Sequence, residues 1–194
     1  MTANIGAVIL AAGSGSRFVS SGGDGPKQLV SIDGLPMLQQ AINLVDQLLP
    51  GKVYSLLGSD WQNIEKQLVG AEVIINPDWQ RGLGNSIACA VRHLAADQLA
   101  YDGLLIMLGD QPLVTSTALA EMLDLFDRDR VVCAIYDGHA GVPALFPRTF
   151  FADLMALDGD SGAKAMLQSL NDKVTVPMPE AAIDIDTIED LESL

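Results

Sequence analysis

Positive charge is scarce in this chain. Eleven Lys and Arg residues stand against 25 Asp and Glu over 194 residues, a formal net charge of −14. Duplex DNA and RNA are bound by Lys and Arg that neutralise phosphates, so this balance excludes nucleic acid as an expected partner. It also argues against anionic membrane surfaces. Cysteine is scarcer still. Cys89 and Cys133 lie far apart in apolar surroundings and form no C-x-x-C, which reads as two buried thiols in a reducing compartment. The two histidines, His93 and His139, stand in no metal-ligand spacing and read as structural or solvated. No apolar run is long enough to span a bilayer, and the first residues lack the apolar core of a signal peptide. A cytoplasmic protein with no membrane partner is expected.

What the chain does have is alternation. A length of 194 residues, 49% of them hydrophobic, fits one domain with a substantial core. Strand patterns are read at 6–11, 53–57, 73–75, 104–108, 131–135, 142–146, near Val174 and at 183–185. Helix patterns fall at 37–49, 61–69, 85–96, 117–126, 149–156 and 163–170. In the 85–96 segment Ile87, Ala90, Val91, Leu94 and Ala95 follow the i, i+3, i+4, i+7, i+8 spacing of an amphipathic helix. The order predicts an α/β fold, a mostly parallel sheet with helices on both faces and Leu104–Leu108 near its centre. Ligands of such sheets bind beyond the carboxyl ends of the strands, which gathers the Ala12–Arg17 loop, Asn76, Asp110 and Asp186 at one edge.

The first of these segments is Ala7-Val8-Ile9-Leu10-Ala11-Ala12-Gly13-Ser14-Gly15-Ser16-Arg17, with Pro26-Lys27-Gln28-Leu29 downstream. An apolar strand breaks into a loop of small residues whose N–H groups can approach phosphate oxygens. Arg17 and Lys27, the only Lys or Arg before Lys52, supply charge for a polyanion. A dinucleotide fingerprint is excluded because its third glycine would fall at Phe18 and because 20–25 reads as continued loop. A Walker A loop is excluded by Gly25-Pro26-Lys27-Gln28.

Three further segments carry chemistry. Leu108-Gly109-Asp110-Gln111-Pro112 delivers a carboxylate at the end of an apolar strand, placed to hold Mg²⁺ against phosphate oxygens or else to cap the next helix. In Asp184-Ile185-Asp186-Thr187, strand alternation would put both aspartates on one side, with Asp186 as a second metal ligand. Asp186 or Thr187 reads alternatively as the N-cap of a last helix. From Asn76 to Ser86, two glycines precede a helix start whose free N–H groups and Ser86 hydroxyl could meet a base edge; the bare sequence fits a loop with an N-cap equally well.

Together, L-A-A-G-S-G-S-R, P-K-Q-L, N-P-D-W with G-L-G-N-S-I, L-G-D-Q-P-L-V, G-V-P-A-L-F-P and D-I-D-T-I-E-D-L resemble the molybdenum-cofactor nucleotidyltransferase group, particularly its cytidylyltransferase (MocA-like) branch. The resemblance implies a three-layer, Rossmann-like (GT-A-type) fold over residues 1–194. It implies that Leu10, Ala11, Ala12, Gly13, Ser14, Gly15, Ser16, Arg17 and Lys27 hold a nucleoside triphosphate, CTP. Gly84 and Ser86 would contact the base, Asn76 and Asp110 would belong to the nucleotide-binding set, and Asp110 with Asp186 would bind Mg²⁺. Arg17, Lys27 and Asp110 are then the catalytic set. The implied acceptor is molybdopterin cofactor, with a molybdoenzyme or its chaperone as protein partner. Phe18 and the span 19–25 depart from many relatives and make the loop similar to that of methylerythritol cytidylyltransferases. Gly141-Val142-Pro143 stands where relatives often carry Gly-His-Pro. A methylerythritol or sugar phosphate acceptor, or a cofactor-binding chaperone without turnover, are the rival readings.

Overall fold

The computed structural model describes residues 3–96, 100–160 and 162–194. Its strands are β1 (Ile5–Ala11), β2 (Ser31–Ile32), β3 (Leu35–Pro36), β4 (Val53–Leu57), β5 (Glu72–Ile75), β6 (Gly103–Leu108), β7 (Val131–Tyr136), β8 (His139–Pro147) and β9 (Lys173–Pro177). Its helices are α1 (Ser16–Ser20), α2 (Met37–Asp46), α3 (Trp61–Glu65), α4 (Leu83–Ala96), α5 (Ser116–Asp124), α6 (Phe151–Met155), α7 (Ala163–Ser169) and α8 (Ile188–Glu192). Seven strands form one sheet in the order β5-β4-β1-β6-β8-β7-β9, with the expected β6 at its centre. β8 pairs antiparallel with both β6 and β7, and the other pairs are parallel. The sheet is thus mostly parallel. β7 and β8 are joined by Asp137-Gly138, both at positive φ, the conformation of a tight hairpin turn.

β1 shows why its sequence is apolar at every position. Ala7, Ile9 and Ala11 face a core built with α2 and α5, including Leu38, Ile42, Val45 and Met122. Val8, Leu10 and Ala12 face a second core with Ile87, Val91 and Leu94 of α4 and with Leu154 and Leu167. A strand covered on both faces has no place for polar residues. Among the described residues no helix is long and apolar enough to cross a membrane.

Three expectations are corrected. Residues 183–185 form no strand; Ile185 instead donates its N–H to the Asp110 carbonyl at 3.0 Å and buries its side chain with Phe18 and Met37. The loop after β1 is interrupted by the short helix α1, because Phe18 is drawn into that same apolar cluster. α4 starts at Leu83, two residues early, and Ala95 stays exposed while Ala88 is fully buried.

Candidate functional site

The carboxyl ends of β1 and β6 open onto a cleft of about 480 Å³. One wall is the small-residue loop. β1 runs out at Ala11, and Gly15 turns the chain into α1 at φ 63°. A side chain at Gly15 would meet the Lys27 Cβ at 2.9 Å, so only glycine lets the two segments approach this closely. Lys27 begins a single 3₁₀ turn, Lys27–Leu29, packed beneath the loop.

The opposite wall is acidic. Asp110 follows the central strand, and the Ile185 bond to its carbonyl brings Asp184 and Asp186 alongside. Lys27 Nζ donates to Asp110 Oδ2 at 2.6 Å and to Asp186 Oδ1 at 3.1 Å. Its side chain is only 11% exposed. Burial pulls the Lys27 pKa down, but the charges and hydrogen bonds of Asp110 and Asp186 outweigh it and leave the ammonium firmly protonated. Arg17 Nη1 reaches Asp186 Oδ2 at 2.9 Å from a side chain 74% exposed, so its pair is solvent-screened and easily exchanged. Asp184 lines the same wall. Desolvation and then the neighbouring charge of Asp110 push its carboxyl up to about 6, although much of the residue remains open to solvent.

The site therefore brings together Leu10 to Arg17, Lys27, Ser86, Asp110 and Asp186. Two expected residues do not line the cleft. Asn76 is buried behind it, with Nδ2 donating to Asn85 Oδ1 and Ser86 Oγ and Oδ1 accepting from the Asp78 N–H. It clamps the end of β5 to the start of α4. Gly84 gives its N–H to the Gly159 carbonyl at 2.8 Å, and Ser86 gives its own to Gly82. Two of the amides expected to be free at this helix start are therefore used internally. The Ser86 hydroxyl accepts from Asn76 and lines the cleft.

Sequence reasoning missed several neighbours. Trp79, Gln80, Leu83, Asp160 and Gln28 also line the cleft, as does Asp184, which strand alternation had set on one side with Asp186. Asp160 had no local signal; it arrives because a glycine at 82, at φ 104°, lets the 159–160 backbone pass where a Cβ would stand.

The donors at this wall are those of a divalent-cation site. Asp110 Oδ1 is buried with no hydrogen-bond partner, an orphaned oxygen on a residue that lines the cleft with Asp184 and Asp186. Among the described residues no group of three or more His, Cys, Asp and Glu side chains can hold a metal unaided. The donor set suits a hard cation that completes its shell with phosphate oxygens and water, as Mg²⁺ does.

A small-residue loop facing strand-end carboxylates on this sheet is the arrangement of a nucleotidyltransferase domain. Residues 7–174 match the model of the MobA-like NTP transferase domain, and the chain belongs to that family. Among curated relatives, the bifunctional protein GlmU of Shouchella clausii is 29% identical over 143 residues, which are 73% of this chain and 30% of that protein. GlmU of Sphingopyxis alaskensis is 36% identical over 121 residues, 62% of this chain and 25% of that protein. The chain thus spans about a third or less of the length of these relatives. Rv0371c from Mycobacterium tuberculosis H37Rv has a TM-score of 0.81 at 26% identity, covering 100% of this chain and 97% of that one. A structure of the same protein in complex with manganese gives 0.79 at 25%, covering 98% and 97%. The Methanothermobacter nucleotidyl transferase Mth528 shares the fold, with a TM-score of 0.82 at 21% identity over 98% of this chain and 95% of that one.

Proposed function

We propose that residues 1–194 act as a single domain that transfers CMP from CTP to a phosphorylated acceptor, molybdopterin cofactor, with release of pyrophosphate. The observation that carries nucleotidyl transfer is the pairing in one cleft of a small-residue loop bearing Arg17 and Lys27 with the carboxylates of Asp110 and Asp186. The choice of CTP and of molybdopterin is supported by the resemblance of the L-A-A-G-S-G-S-R, L-G-D-Q-P and D-I-D-T segments.

In this reading the loop from Leu10 to Arg17 and the Lys27 ammonium hold the triphosphate, and Ser86 offers its hydroxyl to the nucleoside. An oxygen of the acceptor phosphate attacks the α-phosphorus, and the bond from that phosphorus to the pyrophosphate oxygen breaks in line. The acceptor phosphate is already ionised, so no general base is required; positioning and charge neutralisation do the chemistry. Asp110 and Asp186 would hold Mg²⁺, which when bound supplies countercharge to the developing pyrophosphate. The manganese complex of Rv0371c supports a divalent cation in this family.

The test is pyrophosphate release from CTP, GTP, ATP and UTP, each with molybdopterin, methylerythritol phosphate, a sugar phosphate or no acceptor. Release confined to CTP with molybdopterin bears the proposal out. Release with another acceptor moves the substrate but keeps the reaction. Tight binding of molybdopterin with no release under any combination overturns it in favour of a cofactor-binding chaperone.

A further inference from the structure

We propose that Gln28 is a positioning residue that aims the phosphate-binding loop. It rests on the reading that this loop takes the triphosphate. Gln28 is 5% exposed, and its Nε2 donates to the Ala11 and Gly13 carbonyls, both at 2.8 Å. A side-chain amide nitrogen has two hydrogens, so both are spent on these two oxygens. Each carbonyl belongs to a planar trans peptide in which C=O and the following N–H point opposite ways. Drawing the Ala11 and Gly13 oxygens down onto Gln28 therefore turns the Ala12 and Ser14 N–H groups away from it. Neither N–H has a backbone acceptor among the described residues. They are donors held in place before a ligand arrives.

The neighbouring contacts fix the clamp. The Lys27 Cβ lies under Gly15, and the Leu29 N–H closes the 3₁₀ turn on the Pro26 carbonyl at 2.9 Å. One short turn thus delivers two things at once, the Lys27 cation to the carboxylates and the Gln28 amide to the loop. Without that amide, the two carbonyls lose their partner and the peptide planes are free to rotate. A carbonyl oxygen facing a phosphate repels what an N–H would hold.

Gln28→Leu and Gln28→Met keep bulk and remove both donors. Calorimetric titration of the full chain with CTP, inorganic pyrophosphate and cytidine, each with Mg²⁺, separates positioning from general damage. Thermal melts confirm which variants are folded, and Gln28→Met serves if Gln28→Leu fails to fold. CTP and pyrophosphate affinity should fall about tenfold or more, the worth of hydrogen bonds to a charged group, while cytidine affinity stays within about twofold. CTP should show the loss in KM more than in kcat. Parent-like CTP and pyrophosphate affinity in a folded variant, or an equal loss for cytidine, overturns the positioning role. If the parent itself binds neither CTP nor pyrophosphate, the nucleotide reading falls first and takes this one with it.

Discussion

Asp110 and Asp186 are 76 residues apart in sequence and share one ammonium, that of Lys27. Two carboxylates this close repel one another unless a cation stands between them. Asp110→Asn keeps the size of the side chain and removes the charge. It should lower turnover by roughly a hundredfold or more while the protein remains folded, because the residue sits at a strand's open end. Asp186→Asn should act in the same direction, and the double variant should lose less than the sum of the two if both serve one ion. Steady-state rates at saturating Mg²⁺ with circular dichroism of each variant decide this; a parent-like rate in Asp110→Asn removes the metal from the mechanism. At this scale Lys27 and Asp110 stood out because each is charged beside a proline or glycine, Lys27 after Pro26 in a chain poor in cations and Asp110 after Gly109 at the end of β6. Gln28 was not, since its work is done on backbone carbonyls 15 and 17 residues away. Asn76 was misleading for the opposite reason: a polar residue at a strand's end spends its side-chain nitrogen on Asn85 and Ser86 of α4 and its oxygen on the Asp78 N–H.

The elements that periodicity marks, β1, β4, β6 and α4, are those whose apolar faces meet a core on a regular repeat. Residues 183–185 looked like a strand because Ile-Asp-Ile alternates. They are held instead by the bond from the Ile185 N–H to the Asp110 carbonyl and by the buried Ile185 side chain, long-range contacts that no local pattern announces. The exposed end of the connection from α5 to β7 shows what a single side chain does at the surface. Asp127 accepts from the Asp129 N–H at 3.0 Å, the Arg130 N–H at 2.9 Å and the Arg130 guanidinium at 2.8 and 2.7 Å. The backbone donors of Arg130 and Asp129, then the Arg130 side chain, hold its carboxyl down to about 2. Its ionised form is therefore favoured by folding, a contribution complete above roughly pH 4 and lost as pH falls through about 2. Thermal melts of Asp127→Asn and the parent should differ at pH 7, with the parent higher. That gap should close as the pH approaches 2, and a constant gap across this range would mean that the charge plays no part.

On the scale of the whole molecule, a chain of net charge −14 concentrates two of its few cations in one cleft and engages both with carboxylates. The arrangement neutralises the acidic wall, and it also sets a competition. The Lys27 ammonium occupies carboxylate oxygens that a divalent cation would need, whereas a triphosphate offers Lys27 a stronger partner. Metal and nucleotide should accordingly favour each other's binding, since whatever draws Lys27 away frees Asp110 and Asp186. Lys27→Met removes the competitor at nearly constant length. In the absence of nucleotide it should bind Mn²⁺ about tenfold or more tightly than the parent, followed by electron paramagnetic resonance of the free ion. Arg17→Met should change Mn²⁺ affinity less, because Arg17 is exposed and touches Asp186 alone of the two carboxylates. Uncompensated carboxylates should lower the melting temperature of Lys27→Met without metal, and added Mn²⁺ should raise it more than in the parent. Equal Mn²⁺ affinity in Lys27→Met and the parent would show that the ammonium and the ion do not share a place, and that the cations of this cleft serve the phosphates alone.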